Sequence, residues 1–226
     1  IKKENLILKA GMVGKITSLG ISGFVMQGTN CLVQIVCNKM LFMYGGDMYV
    51  GIMTVINSVR EILSVPGSTL GSGAQPVLGY NYGAKQYHRI DRILLECLAI
   101  VTVVGLLFGG GAYLFGSILL SVYSTDPIVI QYGLNRLSII CTTYFLCGIM
   151  DVCVGSLRGL GYAIMPMIVS LSGACLLRVI WIFTIFQMFH TQFSLYISYP
   201  ITWIVTAMTH IICYLVVRKK WQNGMA

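Results

Sequence analysis

The sequence predicts an all-α, polytopic membrane protein built from six transmembrane helices, and three observations lead there. Hydrophobic residues make up 57% of the 226-residue chain, charged residues only 10%, and the mean hydropathy is +0.82. A soluble domain carries about 25% charged residues, so this chain has too little charge to solvate a globular surface. Six apolar stretches reach the roughly 20 residues that an α-helix needs to cross a bilayer: about 16–43, 49–77, 94–122, 131–157, 164–189 and 196–217. Finally, the cations gather on alternate connectors, as they do when a chain crosses a membrane repeatedly.

Residues 1–15 form a basic lead-in, with Lys2, Lys3, Lys9 and Lys15. The chain opens IKKENLILKAG, without an initiator Met or a signal-peptide pattern, and is expected to begin partway through a longer protein. Lys85, Arg89 and Arg92 follow the second span, Arg158 the fourth, and Arg218, Lys219 and Lys220 the sixth. Eleven of the fifteen Lys and Arg residues thus lie on one side. The opposite connectors, near residues 45–48, 121–130 and 190–194, hold none but carry Asp47 and Asp126. The positive-inside rule places both ends of the chain in the cytoplasm. The domains follow as a cytoplasmic linker at 1–15, a six-span lobe at 16–217 and a short basic tail at 218–226. The excess of cations (net +8) reads as topology, with no nucleic acid as partner.

Several spans carry polar groups, each costing a few kcal/mol in a bilayer, about 2.5 to 3.5 for a charge on insertion scales. Span one has Gln27, Asn30, Gln34 and Asn38 on one face. Span two has Asn57, Glu61, Ser64, Ser68 and Ser72 at helical spacing, with Arg60 beside the row and Pro66 inviting a kink. Because adjacent helix positions do not face each other, Arg60 and Glu61 are each expected to find a different partner. The next segment, GSGAQPVLGYNYGAKQYHRIDR, reads as the cytoplasmic exit of span two, its glycines serving close helix packing rather than a phosphate cradle. GLLFGGG in span three reads as packing glycine too. In span four Tyr144, Cys147 and Asp151 share a face, and Arg178 lies near mid-depth of span five. Lys39 and Arg136 sit nearer the outer ends, where they could snorkel, and Tyr196 and Tyr199 read as part of an interfacial aromatic belt. Spans three and six show no polar row on this reading.

Mutual satisfaction of these groups by interhelical hydrogen bonds is one account. Aligned rows on neighbouring spans favour the other, a water-filled cavity of the kind that carries a substrate or ion path. Enzyme chemistry finds no footing: there is no HExxH and no GxSxG, and His88, His190 and His210 lie in separate segments. The eight cysteines form no CxxC and read as buried thiols, not as a disulfide set or a metal site.

Three tracts carry a resemblance. GAQPVLGYNYGAKQYHRI (73–90) resembles the signature after the second span in the C-terminal lobe of bacterial multidrug and toxic compound extrusion (MATE) transporters. SLRGLGYAIMPM (156–167) is similar to the link between that lobe's fourth and fifth spans, and NKMLFMYGGDMYVG (38–51) to the junction of its first two. The resemblance covers nearly the whole chain and implies one lobe of a pseudo-symmetric twelve-helix transporter, its N-terminal partner lobe lying on the same chain or on another copy. It implies a bacterial plasma-membrane antiporter that exports cationic or amphipathic compounds by alternating access, with Na⁺ or H⁺ as coupling ion and no bound cofactor. Asp151 and Glu61 are the ion-coupling candidates; Gln27, Asn30, Gln34, Asn57, Tyr144 and Arg178 are the cleft-lining ones. Some family members place the fourth-span acid about one turn earlier, where this chain has Cys147. Asp151 is therefore a candidate on its own chemistry, since removal from water favours the neutral form of a carboxylic acid and so proton uptake. The alternative is a flippase for lipid-linked oligosaccharides or polysaccharides, of the same superfamily.

Overall fold

The computed structural model describes residues 10–123, 125–189 and 191–222. Lys2, Lys3, Lys9, His190 and residues 223–226 of the basic tail lie outside the described residues. Within them the chain is helical and contains no strand.

The first two spans form one element, α1 (Ala10–Gly83), broken at Gly46. Gly46 has φ 64° and ψ −160°, a conformation open essentially only to glycine. A single residue thus ends one arm, 10–45, and starts the next, 47–83. Pro66 lies within the helical run of the second arm, and Gly46 is the one position in α1 with non-helical φ/ψ. The second arm also runs past its expected end at Val77 through Pro76 to Gly83. Ala74 and Leu78 belong to a buried cluster with Ile90, Leu94, Val152 and Leu157, which makes further turns of helix worth keeping. The turn to the next helix is short: Lys85 takes a left-handed φ of 57°, and the Gln86 amide donates to the Asn81 carbonyl at 2.9 Å.

After the turn come α2 (Tyr87–Leu114) and, beyond a break at Phe115, α3 (Gly116–Ser121). The expected third span was one piece; it starts earlier and ends in this separate short helix. Asp126 caps α4 (Pro127–Gly159), accepting from the Ile128 amide at 2.8 Å with Pro127 at the first helical position. Gly161, with φ 89°, turns the chain into the fifth crossing. That crossing consists of α5 (Ile164–Ser170), a π-helical stretch (Leu171–Leu176), α6 (Leu177–Phe183) and α7 (Ile185–Phe189). The last crossing is α8 (Gln192–Gln222). Among the described residues five segments are long and apolar enough to cross a membrane on composition: Gly20–Met43, Tyr87–Leu114, Pro127–Gly159, Ile164–Phe189 and Phe193–Trp221. The second arm of α1, carrying Asn57, Arg60 and Glu61, falls short of that measure. The chain is an all-α, multi-pass membrane protein.

Helix α4 is the hub, packed against α1, α2 and α8. Its burial runs round the whole helix from Val152 to Leu157, as expected of a central element. Glycine brings α1 and α4 into backbone contact. A β-carbon on Gly71 would meet the Asp151 carbonyl at 2.7 Å, one on Gly67 the Gly148 Cα at 3.1 Å, and one on Gly79 the Gly159 carbonyl at 3.0 Å; one on Gly155 would collide with the Gly71 carbonyl. On α2, Gly105 and Gly109 play the same part against Phe145 and Cys141 of α4. The packing role expected for these glycines holds at the positions just named, whereas Gly73, Gly110 and Gly111 have no neighbour within 4 Å of a β-carbon.

Candidate functional site

Both arms of α1 present polar rows. On the first arm Gln27, Asn30 and Gln34 are exposed, while Asn38 is half-buried. The Asn30 amide donates to Gln27 Oε1 at 3.3 Å, and Asn30 Oδ1 accepts from the Cys175 thiol, in the π-helical stretch, at 3.5 Å. On the second arm Asn57 and Ser64 are half-buried, and Glu61, Ser68 and Ser72 are exposed. The hydroxyls of Ser64 and Ser68 donate back to the carbonyls of Glu61 (2.7 Å) and Ser64 (3.1 Å). The groups this arm offers outward are therefore chiefly Asn57 and the acid. Contrary to expectation, Arg60 and Glu61 pair with each other, Nη2 to Oε1 at 3.0 Å. Their backbone positions diverge, but the long Arg side chain bends round to bridge them. Glu61 is 69% exposed and Arg60 21%.

Asp151 lies where the glycine seam meets this row. It lines a narrow crevice with Ser64, Pro66, Gly67, Tyr144 and Gly148, otherwise walled by Leu63 of α1 and by apolar residues of α2 and α4. The crevice encloses about 10 Å³, close to the least that holds one water. Among the described residues the Asp151 carboxylate has no hydrogen bond and no ion pair. Arg158, two turns further along the same face of α4, reaches Met26 of the first arm, its Nη2 3.3 Å from the sulfur.

A helical lobe with open polar rows and a lone acid beneath them could belong to several transporter families. The MatE family model matches residues 23–184. The chain belongs to the MatE family. No curated protein matches it. Among solved structures, the MATE multidrug transporter DinF-BH is 26% identical, with a TM-score of 0.79 over 94% of this chain and 47% of that one. A crystal structure of MATE in complex with MaL6 is 14% identical, with a TM-score of 0.90 over 99% and 50%. The Vibrio cholerae MATE transporter VcmN in its bent form is 16% identical, with a TM-score of 0.82 over 91% and 46%. The last two likenesses speak to fold alone. This MatE chain spans about half the length of the structures it matches.

Two of the candidate residues, Tyr144 and Arg178, sit inside the MatE lobe, not along its open rows. Tyr144 packs edge-on against Trp203, ring centroids 5.5 Å apart. Arg178 donates to the Thr202 hydroxyl at 2.9 Å and lies 4.0 Å from the Tyr199 ring centroid. Arg136, expected to snorkel, is fully buried between the Tyr196 and Tyr199 rings (5.1 and 5.8 Å), against Met53. The negative face of a tyrosine ring attracts a cation, which accounts for the inward turn. Tyr196 and Tyr199 are likewise buried, not interfacial. Sequence reading also missed a row on α8: Ser194, Ser198, Thr202, Thr206 and His210, four residues apart and all buried. That strict spacing was the available signal. The row faces the fifth crossing, where His210 Nε2 and the Ser170 hydroxyl are 3.1 Å apart.

Desolvating an ion costs several kcal/mol, whereas cation–π contact returns about 2 kcal/mol when dry. Arg136→Met, which keeps the volume without the charge, is therefore expected to leave the lobe folded. Its stability should be unchanged or raised by about 1–4 kcal/mol, read by thermal unfolding of the full-length protein. A fall in melting temperature would show that the charge itself holds the core together.

Proposed function

We propose that the chain is the C-terminal lobe of a secondary antiporter that exports cationic or amphipathic compounds across the bacterial plasma membrane by alternating access. A second six-helix lobe, on the same chain or on another copy, closes the cleft, and both ends of this lobe face the cytoplasm. The observation that carries the reading is the pair of open polar rows, Gln27–Asn30–Gln34 and Asn57–Glu61, on a lobe whose other exposed side chains are mostly apolar. Rows of this kind are stable in a membrane only beside water or a polar partner.

Asp151 is the proposed coupling acid, and the size of its crevice favours H⁺ over Na⁺. A hard cation gathers several oxygen ligands, while the crevice offers Ser64 and Tyr144 beside the carboxylate. A proton needs only the carboxylate. Glu61, exposed and held by Arg60, is placed to receive a cationic compound that competes with the guanidinium. One charge moving inward yields about 2.3 kcal/mol per 100 mV, enough to tilt the two-state equilibrium.

The flippase alternative calls for several cations along the cleft to meet an anionic head group. Arg136 and Arg178 face the packed interior, and Arg60, the cation beside the second row, is already paired with Glu61, which favours export of cations. The test is reconstitution of the full-length protein in liposomes under an imposed pH gradient. Ethidium-type dye is expected to move against its gradient, with no movement of undecaprenyl-linked saccharide; saccharide movement without dye movement would reverse the assignment.

A further inference from the structure

Helices α2 and α8 run antiparallel over α4 and leave a groove of about 210 Å³ between them. The α2 wall is Asp91, Leu94, Leu95 and Leu98; the α8 wall is Ile211, Tyr214, Leu215 and Arg218. Each set follows the i, i+3, i+4, i+7 pattern of a single helix face. Each also has its charged residue at the same end, since Arg218 Nε bonds Asp91 Oδ2 at 2.9 Å across the groove. The floor is Cys153 of α4, two residues from both Asp151 and Gly155 and so on the opposite side of α4 from the glycine seam. The groove opens sideways: Leu95 is 66% and Leu215 50% exposed.

Its polarity is graded along its length. Seven residues of helix rise roughly 10 Å, most of the roughly 15 Å of one leaflet's hydrocarbon. Below the charged end the walls suit an acyl chain. At that end both Asp91 oxygens are occupied, Oδ1 by the Tyr214 hydroxyl at 2.8 Å and Oδ2 by Arg218. The acid is thereby neutralised, and Arg218, 40% exposed, keeps its other guanidinium nitrogen for a further acceptor. Arg89, Lys219 and Lys220 are exposed within two residues of Asp91 or Arg218, off the groove face but at its charged end, and among the described residues none is in an ion pair. We propose that this groove holds one anionic phospholipid, its acyl chain between α2 and α8 and its phosphate on Arg218, within the positive field that Lys219 and Lys220 add at the same end. Juxtamembrane basic clusters of this kind attract anionic head groups.

The full-length transporter, purified and mixed with equal amounts of phosphatidylglycerol and phosphatidylcholine, would be examined by native mass spectrometry. The wild type is expected to retain phosphatidylglycerol in preference. The Lys219→Gln/Lys220→Gln variant should lose roughly ten- to thirtyfold of that affinity, on the usual strength of a surface cation. Leu95→Trp/Leu215→Trp, which fills the groove and keeps the charges, should lose the retained lipid altogether, with thermal unfolding checking that each variant is folded. Equal retention of the two lipids by the wild type overturns the proposal, as does a phosphatidylglycerol preference that survives both variants. If one variant fails to fold, the wild-type ratio and the other variant still decide.

Discussion

Replacing Gly155 with valine is expected to abolish the folded lobe. A β-carbon there lands on the Gly71 carbonyl, a backbone atom that no rotamer change can move. Across the same seam a β-carbon on Gly71 would lie 2.7 Å from the Asp151 carbonyl and one on Gly79 3.0 Å from the Gly159 carbonyl. Relief requires α1 and α4 to separate along several turns, and little hydrophobic drive in lipid restores the contact, because helix association there depends on close packing. Overpacking costs about 1–3 kcal/mol in ordinary cores; against rigid backbone in this seam we expect about 3 kcal/mol or more. The check is the yield of monodisperse full-length protein and its melting temperature. Gly73→Ala and Gly110→Ala serve as controls. They meet nothing within 4 Å and should be neutral or gain about 0.5–1 kcal/mol of helix preference. Normal yield of the Gly155 variant would mean that the two helices do not meet as described.

Asp151→Asn carries the second large effect. The substitution is close to isosteric and removes the charge and the titrating proton, while the seam that positions residue 151 is backbone and stays. Loss of one coupled charge removes about 2.3 kcal/mol of drive at 100 mV, a factor of about fifty in the dye gradient the protein can hold. Dye accumulation driven by a pH gradient should collapse, whereas counterflow exchange of labelled against unlabelled dye should persist, because exchange needs the cleft and not the ion. Glu61→Gln is expected to act differently, raising the dye concentration needed for half-maximal transport while coupling survives, since it leaves Arg60 without its 3.0 Å partner. Wild-type coupling in the Asp151 variant at normal expression would remove Asp151 from the mechanism.

What the sequence disclosed depended on which physics was at work. Crossing a bilayer imposes length and hydropathy, so the helical crossings were legible, and so was the junction at Gly46, where φ 64° asks for glycine. Close-packing glycines such as Gly71 and Gly105 were legible for a related reason: small residues are how helices meet in lipid. Azimuth was not. Tyr196 and Tyr199 near a span end read as a belt, and only tertiary packing against Arg136 and Arg178 shows them to be core. The burial of Tyr144 and Arg178 within the lobe was hidden for the same reason. The Arg60–Glu61 pair defied the rule for adjacent helix positions because that rule describes backbone directions and a long side chain need not obey it. Asp151 was legible as an intramembrane acid; its crevice, made by Pro66, Gly67 and Gly148 from two different helices, was not.

Export through this lobe requires that the open rows of α1 border water. Full-length protein cleared of its native cysteines, with Gln34→Cys or Asn57→Cys introduced singly, would be treated with a membrane-impermeant thiol reagent from each side, and Leu215→Cys on the apolar face would serve as reference. Residues 34 and 57 are expected to be labelled from at least one side, more slowly in the presence of transported dye, with no labelling at 215. Rows closed to the reagent from both sides in folded, membrane-inserted protein would contradict export through this lobe.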